Sequence, residues 1–192
     1  MYQIKKTVAQ TSQYIYKQGL APGKSGNVSM KKDEVVAITA TKTSLRDVKS
    51  ESVALVSLDG KVISEGVIPS SELELHLMIY NERDDVKGIV HSHSPYATGF
   101  ALAGKKINRL EGFGPVHKSH LEMVEYAPPG SSKLAQMVKN SLKKEDVLIM
   151  EGHGVVCVGT SLNEAALLAE WVEKTAETLF VANILKNIGK KI

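Results

Sequence analysis

Apolar residues recur at loosely helical spacing from Gln3 to Gln18, at Ile4, Val8, Tyr14 and Ile15. Gly19 follows as a C-cap, so the chain opens with a helix. The period then changes. A Gly-rich turn, Ala21-Pro-Gly-Lys-Ser-Gly-Asn27, leads into the strand Val28-Ser-Met30, and the β-branched run Val35 to Thr39 predicts a second strand. Val53 to Leu58 makes a third, with Asp59-Gly60 as a hairpin signal before Val62 and Ile63. Pro69-Ser70-Ser71-Glu72 reads as a helix start, with a serine able to cap and an acid in the first turn. Leu73, Leu75, Leu77, Met78 and Ile79 carry that helix to about Asn81. A strand over Gly88 to His91 and a helix from Pro95 to Ala103 come next. Ser131 to Leu142 predicts another helix, and two strands, Val147 to Met150 and Val155 to Val158, flank Gly152-His-Gly154. Ser161-Leu-Asn-Glu164 is a capping box that opens a long helix to about Leu185. Helices and strands interleave, yet several strands are joined by hairpin-like turns. The pattern therefore favours a mixed sheet with helices on its faces over a purely parallel, doubly wound one.

Length and composition narrow the class. The 192 residues fit one domain, 1–192, and 43% hydrophobic with 23% charged residues is the balance of an ordinary globular chain. No apolar run approaches the roughly 20 residues that span a bilayer, so no membrane partner is expected. Met1 to Gln10 shows no apolar core of a secretory signal. Cys157 is the single cysteine, which excludes an internal disulfide and suits a reducing compartment, so a cytoplasmic protein is expected. The net charge is only +3, and its lysines fall in scattered doublets such as Lys31/Lys32 and Lys143/Lys144. With aromatics at 5%, the chain offers neither a basic stripe nor stacking platforms, and no nucleic-acid partner is expected.

The chemistry concentrates in a few short motifs. In Val90-His91-Ser92-His93, an extended backbone projects His91 and His93 on one face, where both reach one divalent cation. His153, held between glycines at the end of an apolar strand, is a candidate third ligand. Three histidines with an open position make a catalytic rather than a structural zinc site. Glu72 is the candidate acid/base, and His76, one turn later, is placed to hydrogen-bond it or a ligand. Ser25-Gly26-Asn27-Val28-Ser29 and Thr39-Ala-Thr-Lys-Thr-Ser44 are turns that expose backbone N–H groups, and with Ser70 and Ser71 they offer the donors a phosphate monoester requires.

In order, GNVS, ITATKTS, PSSELELH, VHSHS and EGHGVV followed by a long helix, the chain resembles the class II aldolase/adducin family over nearly its whole length, most like members acting on L-fuculose 1-phosphate. The resemblance implies a three-layer α/β/α domain around a mostly antiparallel mixed sheet. It implies one zinc held by His91, His93 and His153, with Glu72 as acid/base and as a fourth ligand when no substrate is bound. It places Gly26, Asn27, Thr41, Lys42, Ser70 and Ser71 at the substrate phosphate. The implied activity is reversible cleavage of a ketose 1-phosphate, L-fuculose 1-phosphate or a deoxy analogue, into dihydroxyacetone phosphate and an aldehyde such as lactaldehyde. The implied assembly is a homotetramer with active sites at subunit interfaces. The chain departs from the family pattern at Lys42, where a glycine is common and a positive φ would be strained. It also departs at residues 110–114, which lack a tyrosine, at Pro129, which lacks a phenylalanine, and after the long helix, where no tyrosine-bearing tail follows. Glu111 opens an alternative within the family: a methylthioribulose-phosphate dehydratase, or a sugar-phosphate epimerase, on the same fold. His117 and His120 read as surface or interface residues.

Overall fold

The computed structural model describes residues 1–110 and 119–188. Glu111, His117 and most of the 110–114 stretch lie outside them. The first helix, α1 (Tyr2–Lys17), ends as the sequence indicates. Gly19 takes φ 75°, its N–H bonds Tyr16 O, and Leu20 N–H bonds Ile15 O, the paired bonds of a Schellman ending. Strands β1 (Asn27–Lys32), β2 (Val35–Thr39) and β3 (Val53–Ser57) follow as an antiparallel meander. After helix α2 (Leu73–Glu82) come β4 (Gly88–Ser92), α3 (Pro95–Leu102), β5 (Glu122–Val124) and α4 (Ser132–Ser141). Strands β6 (Val147–Met150) and β7 (Gly154–Gly159) precede the long helix α5 (Leu162–Ile188).

Among the described residues, seven strands form one sheet in the order β3-β2-β1-β4-β7-β6-β5, antiparallel throughout except for the β5–β6 pair. Strand alternation divides the apolar residues between its two faces. Val28, Val90, Val155 and Cys157 pack with α1, α3 and α5, while Val36, Ile89, Val156 and Val158 pack with α2 and α4. The result is the expected three-layer α/β/α arrangement around a mostly antiparallel mixed sheet.

The expected elements need correction at three places. Strand β5 is absent from the sequence reading, and its three half-buried residues carry too short a pattern to announce it. Helix α2 starts at Leu73, not at the serines, because Ala40 and Pro69 form a bridge and Ser70 N–H bonds Thr39 O, which holds residues 68–70 extended beside the end of β2. Beyond Gly60, the hairpin reaches only one bridge, Val56 to Val62, before Ile63 and Ser64 both bond Leu55 O and the chain leaves the sheet. At the start of α5, Ser161 Oγ takes Glu164 N–H as a capping box requires, and the Glu164 carboxylate reaches one residue past the cap to take the Thr160 N–H and hydroxyl as well.

Candidate metal centre and active site

β1, β4 and β7 are sheet neighbours, and β1 begins, β4 ends and β7 begins at the same end of the sheet. Asn27 pairs with His91 across β1–β4, so the asparagine and the first histidine emerge side by side. His93 lies just past β4, held by its N–H to Leu20 O. His153 sits in the turn before β7, its N–H on Met150 O. Two glycines make this convergence possible. A Cβ on Gly26 would lie 2.7 Å from His91 O, and one on Gly154 would lie 2.3 Å from Ser92 O with the His91 and His93 rings beside it.

The three rings stand edge to face with centroids 4.7, 4.8 and 4.9 Å apart, and their ligand nitrogens all lie within 4.8 Å of one another. His91 Nδ1 lies 3.0 Å from Val155 O, a carbonyl that only accepts, so Nδ1 carries a proton and Nε2 is the nitrogen turned to the site. His91 Nε2 lies 2.9 Å from His93 Nε2 and 3.2 Å from Glu72 Oε2, while Glu72 Oε1 lies 3.3 Å from His153 Nε2. Burial, with His91 nearby, pushes His93 down to about 3 and His153 down to about 4, so both rings are neutral, the form that ligates a metal. Among the described residues, His153 Nδ1 and Glu72 Oε1 are buried with no hydrogen-bond partner. Neutral imidazoles and a carboxylate converging at these distances fit a single divalent ion of the zinc type.

Burial alone would raise the Glu72 carboxyl, but His91, the Asn27 amide and His153 outweigh it and hold the group below its ordinary value. Asn27 Nδ2 donates to Glu72 Oε2 at 2.8 Å. His76 does not meet Glu72, as the sequence spacing had allowed. Its Nε2 bonds Asn27 Oδ1 and its Nδ1 bonds Ser29 Oγ, so it reaches the carboxylate only through the asparagine. Sequence reasoning missed this connection, although Glu72, His76 and Tyr80, at steps of four, share one face of α2 and its N-cap.

Glu72, His93 and His153 open onto a cleft of ≈ 370 Å³. Gly26, Asn27, Thr41, Lys42, Ser70 and Ser71 all line it, together with Lys24, Thr43 and Pro129. Lys42 takes φ 59°, the left-handed conformation that favours glycine, so the chain carries local strain there. Ser70 Oγ accepts the Glu72 N–H and thereby fixes the residue that carries the carboxylate. Outside the cleft, His120 is half-buried between Ser119 Oγ and Lys106 Nζ, and Cys157 is fully buried in β7.

The buried histidines set the pH response of the metal-free protein. His76, pushed down to about 3 mainly by burial, joins His93 and His153 in staying neutral where the unfolded chain, at 6.5, is protonated. The unfolded state binds more protons in that window, so stability is complete above about pH 6.5 and falls as the pH drops toward 4. Thermal melts of chelator-treated protein should show a flat Tm from pH 7 to 8 and a falling Tm below about pH 6.5. A constant Tm across the acid window would mean that these rings accept protons in the fold.

The family model described as Class II Aldolase and Adducin N-terminal domain matches residues 6–180. The chain belongs to this family, and it is an enzyme of the class II aldolase type, a lyase. Among curated relatives, L-fuculose phosphate aldolase of Methanococcus vannielii is 36% identical over 163 residues, covering 85% of this chain and 88% of the relative. A 3-oxo-tetronate 4-phosphate decarboxylase of Haemophilus influenzae is 30% identical over 182 residues, covering 92% and 86%. The crystal structure of L-fuculose-1-phosphate aldolase from Thermus thermophilus superposes with a TM-score of 0.85 at 21% identity, covering 97% of each chain, which establishes the shared fold. No described helix is long and apolar enough to cross a membrane.

Proposed function

We propose that the chain is a zinc-dependent aldolase that reversibly cleaves a ketose 1-phosphate, L-fuculose 1-phosphate or a deoxy analogue, into dihydroxyacetone phosphate and an aldehyde such as lactaldehyde. The observation that carries this reading is the convergence of His91, His93, His153 and Glu72 at one end of a cleft whose other wall is built from small hydroxyl residues and turns. His91, His93 and His153 would hold the metal, with Glu72 against it. When bound, the metal supplies Lewis acidity at the sugar's carbonyl and neighbouring hydroxyl, offsetting the negative charge that develops as the carbon–carbon bond breaks. The proton lost by the hydroxyl that becomes the aldehyde oxygen reaches the Glu72 carboxylate, which gives it to the carbon left on the dihydroxyacetone phosphate fragment, and in the reverse direction removes it. Gly26, Asn27, Thr41, Lys42, Ser70 and Ser71 would hold the phosphate, and Lys24 and Lys42 add positive charge to that wall. Because the Asn27 side chain is occupied by Glu72 and His76, its share in holding the phosphate falls to its backbone.

The same reading expects a cytoplasmic homotetramer with sites at subunit interfaces. Support comes from Phe180, Val181, Ile184, Leu185 and Ile188, an exposed apolar set on α5 that a second copy would cover. The deciding experiment is a coupled assay for dihydroxyacetone phosphate released from L-fuculose 1-phosphate, with and without chelator. Release that stops on chelation and returns with zinc is the expected result. No release from protein carrying stoichiometric metal would transfer the reading to dehydration or epimerisation of a related sugar phosphate. The decarboxylase among the relatives shows that such sequences carry more than one reaction.

A further inference from the structure

Behind Glu72 runs a chain of buried polar side chains that none of the site chemistry above uses. Tyr80 OH lies 2.8 Å from Ser29 Oγ, which lies 2.7 Å from His76 Nδ1. His76 Nε2 lies 2.5 Å from Asn27 Oδ1, and Asn27 Nδ2 donates to Glu72 Oε2 at 2.8 Å. Ser29 and His76 are fully buried, Tyr80 is 1% exposed, and Asn27 and Glu72 are 6% exposed.

We infer that His76 is a positioning residue for the reaction: through Asn27 it fixes Glu72 Oε2 and leaves Oε1 as the oxygen that takes and gives the proton. The inference rests on the aldolase reading for the reaction it serves. The direction of every bond follows by elimination. An ionised carboxylate only accepts, so Asn27 must turn its NH₂ to Glu72 and its carbonyl oxygen to His76. That carbonyl also only accepts, so His76 Nε2 carries the ring proton. The ring is neutral, so Nδ1 is bare and must accept from Ser29 Oγ–H. Ser29 has then spent its one proton, and Tyr80 OH donates to it. All the donors point toward Glu72, an arrangement in which each bond polarises the next.

Two features separate this chain from ordinary core polarity. It ends on a carboxylate whose other oxygen, Oε1, is buried with no hydrogen-bond partner among the described residues. It also serves both protonation states, because a proton added at Oε1 leaves Oε2 still accepting from Asn27. The carboxyl can therefore cycle between acid and base with no change in its supports, and preorganisation of that kind lowers the cost of each proton transfer.

His76→Leu in the metal-loaded enzyme tests the inference. Metal content and KM should be unchanged, while kcat falls on the order of 10²-fold because the carboxylate loses its alignment. His76→Gln, which returns an N–H toward Asn27 Oδ1, should recover most of that loss. Ser29→Ala removes only the proton given to Nδ1 and supplies a milder variant with a several-fold loss, should the leucine variant fail to fold. A second readout needs neither metal nor substrate: the ¹⁵N resonances of the His76 ring should show Nε2 protonated and Nδ1 bare. The opposite tautomer, or an unchanged kcat in His76→Leu, overturns the inference. If wild-type enzyme cleaves no ketose phosphate, the aldolase reading fails on its own, and the tautomer still decides whether the chain is directed as argued.

Discussion

Replacing Glu72 with glutamine is expected to lower kcat for ketose-phosphate cleavage by on the order of 10³-fold, while the protein keeps its fold and its metal. The substitution is nearly isosteric. The glutamine carbonyl can take the Asn27 N–H that Oε2 now accepts at 2.8 Å, and the new amide nitrogen falls where Oε1 stands, 3.3 Å from His153 Nε2. The His91 ring is held by Val155 O, and the backbones that carry His93 and His153 are held by Leu20 O and Met150 O, so none of the three depends on the carboxylate for its place. What is lost is a group able to carry a proton between donor and carbon. Metal stoichiometry by mass spectrometry, a thermal melt and single-turnover cleavage separate these effects. Turnover within about tenfold of wild type would remove Glu72 from the acid/base role.

The second large effect is expected at Gly154. A methyl group there would stand 2.3 Å from Ser92 O, with the His91 ring at 3.3 Å and the His93 ring at 3.4 Å. The closest contact is backbone in the central β4–β7 pair, so no flexible side chain can yield to relieve it. Gly154→Ala should cost about 3 kcal/mol, roughly 10 °C in Tm. Because the strain falls on the strand that carries His91 and leads directly into His93, metal affinity should drop by about 10- to 100-fold as well. Melting curves and zinc titrations measure the two losses separately. An alanine variant with wild-type values of both would show that β7 can slide away from β4 without disturbing the triad.

These expectations draw on features that differ in how far the sequence announces them. Strands such as β2 and β6 are legible because β-branched or apolar runs end at clear turn residues, and tertiary structure merely accepts them. The three histidines are legible as a pattern but not as a site, since nothing local brings residue 153 to residues 91 and 93. Only the antiparallel pairing of β4 with β7 does that. The start of α2 misleads for a related reason. Pro69-Ser-Ser-Glu has the composition of a cap, but backbone bonds to Thr39 and Ala40 claim those residues for the sheet edge. Strand β5 is invisible because three residues hold too little alternation to rise above a loop. The Asn27–His76 connection is hidden most deeply, because it joins a strand to a helix 49 residues away through polar atoms, and apolar periodicity has no bearing on it.

Cys157 lies at the centre of the sheet, fully buried in β7, and its burial pushes the thiol well above its ordinary range. Alkylating reagents attack the thiolate, so the folded enzyme shields its one sulfur twice, by access and by ionisation. Modification then requires the sheet itself to open. The chain thus contains its own clock for global unfolding: the rate at which a thiol probe attaches under native conditions counts how often the core around β7 comes apart, with no cysteine added by mutation and no other cysteine to confuse the signal.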